Sequence, residues 1–95
     1  MLYDRKGQPI TLERYAELMH DLSYRRVAED RIGHVWVSTV WLGVNHQFIP
    51  GGPPLIFETM IFGGPQDEDC WRYSTEEEAL AGHRLAVREV RTYRR

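Results

Sequence analysis

Two short runs, His34 to Leu42 and Leu55 to Phe62, decide most of what this chain can fold into. Each is crowded with Val, Ile, Thr, Phe and Trp, side chains that fit a pleated, half-buried surface better than a helical one. Both runs therefore read as strands. Successive strand residues point to opposite faces. By parity, the first run separates into Val35, Val37, Thr39 and Trp41 against Trp36, Ser38, Val40 and Leu42. The second separates into Leu55, Phe57, Thr59 and Ile61 against Ile56, Glu58, Met60 and Phe62. Every one of these sets is mainly apolar, so the sheet has two faces to cover rather than one.

The remaining segments supply little to cover them with. Thr11 caps a short helix running to about His20, with Leu12, Tyr15, Ala16, Leu18 and Met19 on one side. Tyr24 to Arg31 reads as an edge strand whose charges discourage further pairing. Ile32-Gly33 turns into the first central strand, and the long loop Gly43 to Pro54, with Gly51, Gly52, Pro53 and Pro54, separates it from the second. Gly63, Gly64 and Pro65 end that strand, and a short strand follows around Cys70 to Tyr73. Ser74, with Glu77 three residues on, reads as the capping box of a final helix. In that helix Leu80, His83, Val87 and Val90 form one stripe, flanked by Ala79 and Ala86. The expectation is a single α+β domain. It has a four-stranded antiparallel meander sheet, a short N-terminal helix and a long C-terminal helix packed on it. One long helix covers one face; the other is left to a homodimer or another protein partner, or to the first helix and the long loop.

Ninety-five residues make room for one core. The formal net charge of −2 gives the whole molecule no strong pull toward nucleic acid or an acidic membrane. Cys70 is the lone cysteine, so there is no intrachain disulfide and no CxxC pair. Asp4, Arg5 and Lys6 interrupt the start, and no run approaches the roughly 18 apolar residues of a membrane span. The chain is therefore expected to be neither exported nor inserted in a membrane. GxGxxG, Walker A, GxSxG and HExxH patterns are all missing, and His34, His46 and His83 do not have metal-motif spacing. No catalytic residue, metal or cofactor is expected.

Three functional readings remain. The leading one is protein binding through the apolar sheet face and the long loop, with Trp36, Trp41, Asn45, His46, Phe48 and Glu58 as the interaction residues. The second places a nucleic-acid backbone on Arg84, Arg88, Arg91, Arg94 and Arg95, beside Tyr93. Arginine at a helix C-terminus is also what the macrodipole favours. The third is a small enzyme built on Glu58 and His46, with Ser38, Thr39 and Thr59 as neighbours. A carboxylate in an apolar strand needs a partner, and the structural reading of Glu58 is a salt bridge to an Arg of the edge strand or of the last helix. His83, on the apolar stripe, reads as a core histidine with its hydrogen bonds satisfied.

The strings Val37-Ser38-Thr39-Val40-Trp41-Leu42-Gly43, His46, Phe48, Pro54-Leu55-Ile56-Phe57-Glu58-Thr59-Met60 and Phe62-Gly63-Gly64 form a specific pattern. Tyr24-Arg25-Arg26-Val27-Ala28, Arg72-Tyr73-Ser74-Thr75-Glu76-Glu77-Glu78-Ala79 and Gly82-His83 extend it. Over most of its length the chain resembles a family of small bacteriophage and prophage proteins, found especially in actinobacterial phages. The resemblance implies a phage gene product acting in the cytoplasm of a bacterial host, and implies no particular chemistry. Its pattern is concentrated on the central strands, the long loop and the start of the last helix. A shared activity would accordingly use Trp41, His46 and Glu58 before the Arg-rich tail.

Overall fold

The two β-branched runs pair with each other. In the computed structural model, which describes residues 1–93, β4 (Val35–Trp41) and β5 (Phe57–Phe62) are antiparallel, with Val37 opposite Ile61, Thr39 opposite Thr59 and Trp41 opposite Phe57. On their outer sides lie β3 (Arg26–Ile32) and β6 (Cys70–Tyr73), giving the sheet order β3-β4-β5-β6. The expected four-stranded meander is therefore present. So are the short helix α1 (Leu12–Met19), capped by the Thr11 hydroxyl, and the long helix α3 (Glu76–Tyr93) packed on the sheet.

Three elements differ from expectation. A two-stranded ribbon, β1 (Leu2–Tyr3) with β2 (Pro9–Ile10), opens the chain. Its turn is held by Asp4, whose carboxylate accepts from the Lys6 and Gln8 amides. A one-turn helix, α2 (Leu22–Arg25), occupies the start of the expected edge strand, so that strand begins at Arg26 and not at Tyr24. Asp21 caps this turn. Hydrogen bonds from the Ser23 hydroxyl and the Tyr24 amide hold its carboxyl below the ordinary range. The capping box of α3 lies one residue later than expected: the Glu78 amide donates to the Thr75 hydroxyl at 3.1 Å, and the Glu78 carboxylate accepts from the Thr75 amide at 3.1 Å. Ser74-x-x-Glu77 and Thr75-x-x-Glu78 both satisfy the pattern, and only the second is used.

The helical period of α3 places Ala79, His83, Ala86, Val87 and Val90 against the sheet. There Ala86, Val87 and Val90 meet Val35, Val37 and Ile61. Toward the other end of the strands, Trp41, Phe57 and Ile56 pack with Ala79 and with Leu18 of α1. Trp41 and Phe57 have the parity of the α3 side, so α1 extends the layer that α3 already forms. The alternative in which the first helix closes the second face does not hold. Tyr24 sits edge-on to Trp41 with ring centroids 5.1 Å apart, and the Trp41 indole N–H donates to the Tyr3 carbonyl at 3.0 Å, tying the ribbon to the core. Gly43 makes this junction possible. Its φ is +77°, and a Cβ there would stand 2.7 Å from both the Trp41 and Tyr15 rings.

Candidate functional site

The two faces of the sheet are unequal. On the α3 side Val35, Val37, Thr39, Trp41, Phe57, Thr59 and Ile61 are all buried. On the other side β4 and β5 place Trp36 opposite Phe62, Ser38 opposite Met60 and Val40 opposite Glu58. These side chains are half-buried by one another and Phe62 is exposed, with α2 touching only their margin. Trp36 stacks on Phe62 with centroids 5.0 Å apart, and the Arg31 guanidinium lies 5.3 Å from the Trp36 ring centre. The Trp36 indole N–H is enclosed and, among the described residues, has no hydrogen-bond partner. The rim is charged: Arg26 pairs with Glu29 at 3.1 Å and Arg72 with Glu58 at 3.0 Å.

Glu58 thus has a structural partner. It is Arg72 on β6, directly across the ladder, and not an Arg of β3 or of the last helix. Thr39 and Thr59, suggested as its neighbours, point to the opposite face. The Cys70 thiol lies on the same margin; partial desolvation and then the Glu58 carboxylate push its pKa up. His46 belongs to the loop at the far end of β4. Its amide donates to the Leu55 carbonyl at 2.9 Å, and among the described residues its imidazole makes no hydrogen bond. Among the described residues no hydrogen bond joins His46 to Glu58, whose carboxylate is bonded to Arg72.

The interaction residues named from the sequence are likewise dispersed. Trp41 is 1 % exposed and is a core residue, which removes it from any docking surface. Asn45 shapes the loop: its side-chain oxygen accepts from the Gln47 amide at 2.8 Å and from the Leu55 amide at 2.9 Å. Gln47 adds bonds to the Ile49 amide and the Pro53 carbonyl. This frame displays Phe48 and Ile49, which are 86 % and 71 % exposed. Phe48 and the Trp36–Phe62 stack stand at opposite ends of the β4–β5 hairpin, about 20 Å apart at a strand rise of about 3.3 Å per residue. Phe62, Met60 and Ile49 were missed as surface residues. Alternation put Met60 and Phe62 on the face of Trp36 but could not say which face would be open.

A second polar constellation lies beneath α3. His83 is buried and both ring nitrogens are engaged: Nε2 lies 2.8 Å from the Asp30 carboxylate and Nδ1 lies 2.7 Å from the Thr39 hydroxyl. Thr39 in turn meets Thr59 at 2.5 Å, and on the same side burial pushes the Tyr73 hydroxyl's pKa up. A carboxylate accepts, so Nε2 donates to Asp30, while Nδ1 and the Thr39 hydroxyl share the second hydrogen bond. The order Asp-His-Thr resembles a nucleophile relay, but Thr39 is 0 % exposed and no substrate atom can reach its hydroxyl. The chain is a polar fastening between strand and helix. The reading of His83 as a satisfied core histidine stands. Asp30 was missed, although it shares the parity of Ala28 and Ile32, the inward side of β3.

Beside Asp30 and His83, Arg84, Arg88, Arg91 and Thr92 line a groove of about 400 Å³ along α3. Arg94 and Arg95 lie outside the described residues. Among those described, no three His, Cys, Asp or Glu side chains gather as a metal site would require, and no helix is long and apolar enough to cross a membrane. No protein-family model, curated protein or solved structure matches the chain.

Proposed function

We propose that this chain is a small protein-binding module, phage-encoded in keeping with the resemblance of its sequence, that docks a partner protein on the sheet face opposite α3. The observation that carries this reading is the Trp36–Phe62 stack, flanked by Met60 and Val40, on a face that among the described residues only α2 touches, at its margin. An aromatic centre inside a rim of Arg26, Glu29, Arg31, Glu58 and Arg72 has the anatomy of a protein interface, where Trp and Arg carry most of the binding energy. Phe48, on its framed loop, offers a second anchor to a partner long enough to span the hairpin. A second copy of this chain is the other possible occupant.

Tagged protein is tested by nuclease-treated pull-down from the lysate of a bacterial host, with light scattering of the purified chain to give its mass. The expected result is a retained protein that is lost with the double variant Trp36→Ser, Phe62→Ser and kept with Arg84→Gln. A dimer dissociated by the same double variant would make the partner a second copy. A retained set unchanged by the double variant, from a chain that is monomeric, would contradict the reading.

A further inference from the structure

We propose that the groove between β3 and α3 binds a phosphoryl group, on a ligand that also presents a hydroxyl or amino donor. Arg84, Arg88 and Arg91 fall on one side of α3, since positions four and seven residues on return to nearly the same direction, and they extend about 10 Å along the helix. Such a row matches successive phosphates of a nucleotide or of a nucleic-acid strand.

Three features make this a built site rather than a solvated stripe. First, among the described residues none of the three guanidinium groups pairs with a carboxylate, so three like charges line one concavity without a salt-bridge partner. The one carboxylate in the groove, Asp30, is already taken by His83. Secondly, the back wall is fixed: the His83 side chain is 5 % exposed and locked through Thr39 and Thr59 into the sheet, so Asp30 is held in place without a ligand. Thirdly, about 400 Å³ falls in the size range of small-molecule sites. Planar guanidinium groups take phosphate oxygens two at a time, and the remaining Asp30 oxygen can accept from a ribose hydroxyl or a base amine. The site lies on the opposite side of the sheet from the proposed protein-docking face, so the two can be occupied and tested independently.

The test titrates the full chain with adenosine triphosphate by calorimetry and with a fluorescein-labelled oligothymidylate by anisotropy, at low salt. The triple variant Arg84→Gln, Arg88→Gln, Arg91→Gln is run beside Arg14→Gln, which removes one charge from α1. All four arginines are exposed, so both variants are expected to keep the wild-type circular dichroism spectrum. The expected result is saturable binding of at least one probe, weakened about tenfold or more in the triple variant and unchanged in Arg14→Gln. Binding of adenosine triphosphate alone identifies a free nucleotide as the ligand; binding of the oligothymidylate, with or without the nucleotide, identifies a nucleic-acid strand. Three results would overturn the proposal: no saturable binding of either probe up to millimolar concentration, a smaller loss in the triple variant, or an equal loss in Arg14→Gln.

Discussion

The two faces of this sheet are made by the same two strands and differ little in composition, yet one is sealed and the other open. On the α3 side, Val37 and Ile61 have no exposure at all, and even two threonines and a histidine are enclosed, joined to one another by hydrogen bonds. On the other side Trp36, Val40 and Met60 remain half-covered and the polar groups at the rim pair as surface ions. Hydropathy does not distinguish the faces; the supply of helix does. One stripe of α3, lengthened by α1, closes one face, and among the described residues only α2 reaches the second, at its margin. An apolar surface retained under those conditions is what a docking face requires.

The widest separation between the faces is expected from two tryptophans. Trp41→Ala should cost about 3–5 kcal/mol, a large part of a small domain's stability, whereas Trp36→Ala should cost about 1 kcal/mol, the value of a stacked pair. Urea unfolding of the two variants measures the contrast, and equal losses would break it. Gly43→Ala, which forces a side chain into a left-handed backbone against Trp41 and Tyr15, should follow at about 2–3 kcal/mol by the same measurement. The hydroxyls sharpen the comparison further. Thr39→Val leaves the buried His83 Nδ1 without its hydrogen-bond partner and should cost about 1–3 kcal/mol, whereas Ser38→Val, one residue along and on the open face, should stay within about 0.5 kcal/mol. Smallest of all is the rim pair. Glu58→Gln should change stability by less than about 1 kcal/mol. It should also speed alkylation of Cys70: Glu58 disfavours the thiolate, so its removal lowers the thiol pKa and raises the reactive fraction at a given pH. Iodoacetamide labelling at mildly alkaline pH reads that directly.

Much of this architecture is legible in the sequence, for identifiable reasons. The β4 and β5 runs announce themselves by β-branching, and the α3 stripe by its period, because both are set by a dozen or so local side chains. The β1–β2 ribbon has no such signal. Its strands are two residues each, and it is anchored by Tyr3 to Gly43, forty residues away. Trp41 was assigned to an interface for a related reason: parity says which residues share a face, and only the packing of α3 says which face is core. The pairing of Asp30 with His83 was unreadable because fifty-three positions separate them. A carboxylate at Glu58 in an apolar strand needs a partner, but which partner depends on the β5–β6 register, and that register is set by the 63–69 turn rather than by the strands alone.

The most direct test of an open docking face is carbene footprinting of the chain, alone and in bacterial host lysate, read by mass spectrometry at single residues. The account predicts that Trp36, Met60 and Phe62 label in the isolated protein and are shielded in the lysate, while Trp41 and Val37 stay unlabelled in both. Labelling of Trp36 as low as that of Trp41 in isolation, or equal labelling of Trp36 with and without lysate, would contradict it.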